Sequence, residues 1–166
     1  VGFTGSLRAG RALLAAAARR AEPIPVFAEM GSCNPVFVLP EALAARGEAI
    51  AAGLAASVTL GAGQFCTNPG LVVLVDGPGG EAFLARLGAL LAESAAGTLV
   101  HAGIKAGYDE GLRAHLARPG VELLAQSAAA GPCAATEARP ALLTAAAEAF
   151  LREPRLVEEL FGPATL

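Results

Sequence analysis

The chain has 166 residues, of which 54% are hydrophobic and 16% are charged, and its formal net charge is −3. This length and apolar content suffice for a domain with its own core, and the lack of a basic stripe argues against nucleic acid as a partner. The three cysteines form no CxxC pair, which disfavours a zinc site or a disulfide framework and indicates a reducing, cytoplasmic compartment.

The first half of the chain alternates short apolar runs with alanine-rich stretches. A short apolar run ends at Gly5, and Ser6 is a good N-cap for the helix that follows. Prolines at positions 23 and 25 end that helix. The predicted elements are a helix over residues 7–21, strands over 24–30 and 35–39, and a long buried helix from Pro40 to about Leu60.

The second half continues the alternation. The β-branched run Gly70–Asp76 is typical of a strand covered on both faces. Residues 140–154 stay open between helix and strand, because alanine favours a helix but prolines flank both ends. The other predictions are a turn over 77–80, helices over 81–93 and 106–117, and a strand over 121–126. This order indicates an α/β fold with a mainly parallel sheet and helices on both faces.

Membrane and metal sites are not predicted. The apolar stretch over residues 49–80 is interrupted by Gly, Asn, Pro and Asp, so it does not resemble a membrane span, and no signal peptide is recognised. His101 and His115 have no ligand-like neighbours, so both are interpreted as surface or helix residues. The chain starts at Val1 without a methionine and stops at FGPATL, which suggests a piece of a longer protein.

Cys66 stands in GAGQFCTNPG, a run of small and polar residues between a helix end and a turn. The plainest interpretation of a cysteine is a small buried hydrophobe. Loops of this kind concentrate catalytic residues, however, and the flanking glycines let the backbone approach a ligand closely. The pattern therefore favours a nucleophilic thiol at this position, whereas Cys33 and Cys133 are predicted to be packing residues.

Glu29 closes the apolar segment PVFAEMG, where a carboxylate is costly to bury. One interpretation is a strand-end residue turned to water. The other is a general base that activates water. A thiol and a carboxylate brought together by the fold would make a nucleophile and a base, so the choice depends on whether Glu29 meets Cys66.

Two further segments are ambiguous on their own. GSLRAGRA half-resembles a phosphate loop, but Arg11 and Ala12 stand where that loop needs Lys and Ser or Thr, so a nucleoside triphosphatase is rejected. A Gly5-Ser6 pair opening a helix presents N–H groups to an anion, although a plain N-cap explains it better when taken alone. EELFGP, residues 158–163, is by itself an ordinary helix stop.

Taken together and in this order, FTGS, EMGSCNP, GQFCTNPG and EELFGP resemble the aldehyde dehydrogenase superfamily over essentially the whole chain. AEMGSCNPVFVLP and GLAASVTLGAGQFCTNPG are most similar to the branch that oxidises 2-oxoglutarate semialdehyde (2,5-dioxopentanoate). The resemblance implies an α/β catalytic domain, incomplete at its C-terminus, over residues 29–166, and the C-terminal edge of a dinucleotide-binding domain over residues 1–28. It also implies NAD or NADP as cofactor, a small-molecule aldehyde as substrate and a homo-oligomeric full-length protein.

The resemblance implies a covalent mechanism. Cys66 would attack the aldehyde to give a thiohemiacetal, and hydride transfer to the nicotinamide would leave a thioester. Glu29 would activate the water that hydrolyses this thioester, and the Cys66 backbone N–H would form half of the oxyanion hole.

For the cofactor, the resemblance implies that Gly5 and Ser6 lie against the pyrophosphate. Glu159 would hold the nicotinamide ribose, and Phe161 would pack near the nicotinamide ring. Ser32 departs from the family pattern, which has a second glycine there. An asparagine that completes the oxyanion hole and most of the dinucleotide-binding domain have no counterpart in this sequence, so the chain alone is expected to be inactive.

Two other functions stay open. A non-enzymatic α/β module would need no reactive Cys66. A cofactor-free thiol hydrolase would need a histidine near Cys66, and the sequence offers only His101 and His115, neither in a suggestive setting. The choice between NAD and NADP is not made, because the residues that meet the 2′-phosphate would precede Val1.

Overall fold

A computed structural model describes residues 1–128 and 135–166, which form two compact units, Val1–Ser32 and Cys33–Leu166. Helices and strands alternate through most of the chain, which confirms the α/β class. The elements are β1 (Gly2–Thr4), α1 (Leu7–Ala18), β2 (Phe27–Glu29), β3 (Val36–Val38), α2 (Pro40–Thr59), β4 (Val72–Leu74), α3 (Pro78–Glu93), β5 (Gly97–Thr98), α4 (Ala102–Leu116), β6 (Val121–Gln126), β7 (Glu137–Ala138), β8 (Ala141–Ala145), α5 (Ala147–Arg152) and β9 (Ala164–Thr165).

The first unit is a small βαβ arrangement. Strands β1 and β2 pair in parallel, and α1 connects them. The Ser6 hydroxyl accepts a hydrogen bond from the Ala9 N–H at 3.3 Å, which confirms the predicted N-cap. Gly10 lies where an added Cβ would meet Met30 Sδ at 2.5 Å, so α1 packs closely over the end of β2.

In the second unit, α2 and α3 pack together beside the parallel pair β3 and β4. The prediction that residues 70–76 are covered on both faces is wrong for this chain, because Val73 is 39% exposed and Phe37, its partner in β3, is 67% exposed. Side chains alternate between the faces of a strand, and here the helices cover one face of the pair. The buried helix residues are Leu43, Ala51, Leu54, Ala55 and Val58 of α2, and Phe83, Leu87 and Leu91 of α3.

Strand β8 lies between β6 and β9, antiparallel to β6 and parallel to β9. Leu142 belongs to the core formed with α3, whereas its neighbour Leu143 packs with Tyr108 and Leu112 of α4. Helices therefore cover both faces of this sheet, as predicted. Among the strand pairs of the described residues, β5 with β7 is also antiparallel, and the remaining pairs are parallel.

Two helices begin earlier than predicted. The predicted turn over residues 77–80 is the start of α3, because proline suits the first helical position and Gly77 precedes it as N-cap with φ of 150°. Helix α4 begins at Ala102 because His101 Nδ1 accepts hydrogen bonds from the N–H groups of Gly103 at 3.1 Å and Ile104 at 3.3 Å. The ambiguous residues 140–154 contain both β8 and α5.

Neither histidine is placed as a metal ligand. His101 caps α4, and His115 is buried within α4 with Nδ1 3.0 Å from the Gly111 oxygen. In residues 1–128 and 135–166, no group of three or more His, Cys, Asp or Glu side chains could hold a metal ion. Residues 40–63 are long enough to cross a membrane and contain an 18-residue window with a mean hydropathy of 1.2, but core helices of soluble proteins meet the same criteria.

Candidate active site

The Cys66 loop, defined as residues 60–70, begins in a tight turn at the end of α2. Gly61, Ala62 and Gly63 all have positive φ, at 54°, 56° and 68°. This region favours glycine, and a residue with a Cβ pays roughly 1–2 kcal/mol to enter it. At Gly63 a Cβ would also meet the Gly162 oxygen at 2.2 Å. The turn therefore depends on two backbones lying directly against each other.

Gln64 ties the Cys66 loop to the segment that follows α3. Its Nε2 donates to the Gly61 oxygen at 2.9 Å and to the Thr98 oxygen at 3.2 Å. Its Oε1 accepts from the Val100 N–H at 2.9 Å. The Gln64 side chain thus bonds the start of the Cys66 loop both to the turn at residues 61–63 and to the segment around β5.

Cys66 itself lies in the exposed turn closed by the Asn68 N–H, which donates to the Phe65 oxygen at 3.0 Å. Asn34 Nδ2 donates to the Cys66 carbonyl oxygen and, at 3.3 Å, to the Asn68 oxygen. The main chain around Cys66 is therefore held while the cysteine residue remains exposed. An exposed thiol on a held turn is the setting that a nucleophile requires.

Asn68 anchors the far end of the same turn. It is 9% exposed, and its Nδ2 donates to the oxygens of Gly162 at 3.3 Å and Ala164 at 3.5 Å. Two residues further on, the Gly70 N–H donates to the Cys33 oxygen at 2.9 Å. The loop is thus bonded to two segments distant in sequence, residues 33–34 and residues 162–164.

Cys33 differs from Cys66 in that its side chain is engaged. The thiol is half-buried and donates to the Val157 oxygen at 2.7 Å. Burial raises the pKa of the Cys33 thiol, and the nearby Glu159 carboxylate raises it further. A protonated, hydrogen-bonded thiol is consistent with the predicted packing role, and the same prediction for Cys133 lies outside the described residues.

Glu159 and Phe161 occupy an extended segment that follows the 3₁₀ turn Pro154–Val157. Phe161 is 37% exposed. The segment is pinned at Gly162, where an added Cβ would meet the Tyr108 ring at 2.4 Å. Tyr108 is fixed in turn, because its hydroxyl donates to the Arg139 oxygen at 2.7 Å and burial raises its pKa.

The first unit holds the other three predicted site residues. Gly5 donates its N–H to the Glu29 oxygen at 3.0 Å, directly after the paired ends of β1 and β2. Ser6 follows as the N-cap of α1, and both Ser6 and the Glu29 side chain are exposed. Gly5, Ser6 and Glu29 therefore lie together at the carboxyl ends of two parallel strands. Glu29 and Cys66 belong to different units, so their pairing as base and nucleophile stays a prediction.

Residues 1–107, nearly two thirds of the chain, match the aldehyde dehydrogenase family. The chain belongs to this family. That match confirms the family resemblance and contains three of the four motifs, FTGS, EMGSCNP and GQFCTNPG.

Two curated aldehyde dehydrogenases match nearly all of the chain. It is 51% identical to alpha-ketoglutaric semialdehyde dehydrogenase 2 of Azospirillum brasilense over 100% of its length. It is 40% identical to alpha-ketoglutaric semialdehyde dehydrogenase of Acinetobacter baylyi over 99% of its length. The chain spans 31% of each of these relatives. Both relatives carry the name of the branch that AEMGSCNPVFVLP and GLAASVTLGAGQFCTNPG resemble.

The fold is confirmed by solved structures. The NAD-dependent aldehyde dehydrogenase from Sinorhizobium meliloti matches with a TM-score of 0.76 and 25% identity, over 99% of this chain and 33% of that one. The α/β arrangement seen here is therefore that of a segment of the aldehyde dehydrogenase fold.

Sequence reasoning missed three residues that hold this aldehyde dehydrogenase site, namely Asn34, Gln64 and Asn68. Two of them stand in Asn-Pro pairs, one in EMGSCNP and one in GQFCTNPG. Asparagine tolerates positive φ and bonds nearby backbone through its amide, and Asn34 has φ of 40°. The repeated Asn-Pro pair was therefore the available signal, whereas nothing local marks Gln64.

Proposed function

We propose that the protein carrying this chain oxidises an aldehyde to a carboxylate with NAD or NADP, through a covalent intermediate on Cys66. The observation that supports this most is the exposed Cys66 turn, whose main chain is bonded to Asn34. A held backbone with an accessible thiol suits attack on a small electrophile, because the sulfur is presented without a large entropy cost.

The names of the two curated relatives support 2-oxoglutarate semialdehyde as the substrate and 2-oxoglutarate as the product. The proposal extends to a cytoplasmic enzyme that forms homo-oligomers. The predicted division into an edge of a dinucleotide-binding domain, residues 1–28, and a catalytic domain, residues 29–166, belongs to the same proposal.

In the first half of the reaction, the Cys66 thiolate forms a bond to the aldehyde carbon. The carbonyl electron pair moves to oxygen, where the Cys66 N–H donates to the developing negative charge. A nicotinamide held by Glu159 and Phe161 would supply the acceptor for the hydride that leaves that carbon. The carbonyl then re-forms as a thioester on Cys66.

In the second half, Glu29 takes a proton from water, whose oxygen adds to the thioester carbon. The carbon–sulfur bond breaks and returns the Cys66 thiolate, and the product leaves as a carboxylate. A thiolate is needed because it is both a strong nucleophile and a good leaving group. A separate carboxylate is needed because water must be activated only after the hydride has left.

The chemistry of the described residues fits a dinucleotide. Gly5 and Ser6 open α1, and backbone N–H groups at a helix N-terminus suit a pyrophosphate. At Gly5 an added Cβ would meet the Phe3 ring at 2.7 Å, so a side chain would crowd the start of α1. The Glu159 carboxylate can accept hydrogen bonds from ribose hydroxyls, and the partly exposed Phe161 ring can pack against a flat heterocycle.

Glu29→Gln in the complete gene product tests the assignment of the base. We expect the first turnover to give a burst of NAD(P)H, followed by a steady rate roughly 10²- to 10⁴-fold below that of the wild type, because only thioester hydrolysis needs the carboxylate. Rapid-mixing absorbance of the reduced cofactor measures both phases. Glu22→Gln, which changes an exposed carboxylate of the same unit, is the matched control and should leave both phases intact. Loss of the burst in Glu29→Gln would contradict the proposed role.

A further inference from the structure

We propose that Asn34 is a positioning residue for Cys66, which orients the nucleophile by holding its carbonyl group. This inference rests on the proposed function. It concerns a residue that has no part in the predicted chemistry and lies 32 residues before the nucleophile.

The geometry of Asn34 is specific to this task. Its φ of 40° lies in the left-handed region, which asparagine enters more readily than most residues. The side-chain amide then reaches the carbonyl oxygens of both Cys66 and Asn68. Those two carbonyls belong to the residues on either side of Thr67, so a single amide group bonds both ends of the turn.

Holding the Cys66 carbonyl constrains the thiol directly. The carbonyl carbon and the side chain are attached to the same Cα, so holding the carbonyl restricts where Cβ and the sulfur can lie. The main chain that carries the sulfur is thus held from outside the loop by Asn34.

Cys33, the residue before Asn34, adds a further hydrogen bond to the same loop. Cys33 accepts from the Gly70 N–H at 2.9 Å, at the end of the Cys66 loop, while its thiol donates to the Val157 oxygen at 2.7 Å. Val157 immediately precedes the segment that carries Glu159. The dipeptide Cys33-Asn34 thus fixes the nucleophile loop and the entry to the proposed ribose-binding segment relative to each other.

Two variants of the complete gene product separate the effect of the Asn34 amide from the effect of its backbone conformation. Asn34→Asp keeps the shape and much of the tolerance of positive φ, but replaces the N–H donors with an oxygen that repels both carbonyls. Asn34→Gly relieves the positive φ entirely and removes the amide. A loss shared by both variants is due to the missing donors, because the two differ in shape, charge and backbone freedom.

The first readout is amide hydrogen exchange of a peptide covering residues 64–70. We expect exchange to be about tenfold faster in both variants, because the loop loses both hydrogen bonds that Asn34 donates to it. A peptide from α3 should be unchanged. Exchange at the wild-type rate in both variants would overturn the inference, and so would faster exchange in Asn34→Gly alone, which would reflect only the freedom of glycine.

The second readout is steady-state kinetics. We expect kcat to fall roughly 10- to 100-fold in both variants, because a small misplacement of the sulfur slows attack. The KM for the cofactor should stay within about twofold, since the dinucleotide does not depend on the direction of the thiol. A rise in KM without loss of kcat would overturn the inference. If the wild-type protein makes no NAD(P)H from the aldehyde, the proposed function fails, and the exchange experiment still decides whether Asn34 holds the loop.

Discussion

The turn that carries Cys66 and the segment that carries Cys33 hold their cysteines in opposite ways. At Cys66 the carbonyl is bonded to Asn34 and the residue is exposed. At Cys33 the thiol itself is bonded to the Val157 oxygen, and burial together with Glu159 raises its pKa. Cys66 is therefore held through its main chain while the residue stays exposed, whereas Cys33 is half-buried and uses its sulfur as a contact.

Removing each thiol in turn is the most severe test of this comparison. In the complete gene product, Cys66→Ala should lower kcat for aldehyde oxidation by roughly 10⁴-fold or more, because no other group forms the thioester. Cys33→Ala is the matched control and should cost only a few-fold in kcat, since it loses one hydrogen bond to Val157. Steady-state NAD(P)H production measures both. Comparable losses in the two variants would show that the contrast between the two thiols is mistaken.

The held main chain is tested by Gly63→Ala. The added Cβ would meet the Gly162 oxygen at 2.2 Å, and φ of 68° is unfavourable for alanine, so unfolding should become easier by about 3 kcal/mol. Gly53→Ala is the control, because nothing lies within 4 Å of its Cβ in the middle of α2. That change should stabilise by up to about 1 kcal/mol. Denaturant midpoints compare the two, and equal midpoints would show that the turn does not depend on the backbone contact.

The smallest expected effect concerns the electrostatics of Cys33. In the protein without cofactor, iodoacetamide should label Cys66 before Cys33. Glu159→Gln should then speed labelling of Cys33 a few-fold at a fixed alkaline pH. Burial is the main cause of the raised pKa of Cys33, and it is unchanged in this variant. The Glu159 carboxylate, which adds to the shift, is removed.

The control for that experiment is Glu158→Gln, which removes the adjacent carboxylate that lies 4.0 Å from Arg155. Its labelling rate at Cys33 should match that of the wild type. Mass spectrometry of the modified peptides gives the rates at each cysteine. Faster labelling in both variants would mean that a general change in charge, not the position of Glu159, acts on the thiol.

Local sequence patterns predicted most of the longer elements. The strand over residues 121–126 has the predicted bounds, and Ser6 caps α1 as expected from the preferences of helix N-termini. Strands of two residues, such as β5 and β9, were missed because they arise only from pairing with distant segments. The start of α4 was missed because histidine is an uncommon N-cap.

The sequence predicts the chemistry of the candidate site, whereas the contacts that hold the site are seen only in the structure. Cys66 and Glu29 stand in motifs that predict a nucleophile and a base, and these roles stay predictions. The bond from Asn34 to the Cys66 carbonyl joins residues 32 positions apart, and no local pattern specifies it. The prediction that residues 70–76 are covered on both faces was wrong, because a β-branched run cannot distinguish a strand with one covered face from a strand with two.

The contact between the Cys66 loop and residues 162–164 has a consequence for the order of folding. Asn68 bonds to Gly162, which lies 94 residues later in the chain. During synthesis the nucleophile leaves the ribosome long before these partners exist, and closing a connection of this length is slow compared with forming α2 beside it. We therefore expect the turn around Cys66 to reach its final bonding only after residues 162–164 have docked against it.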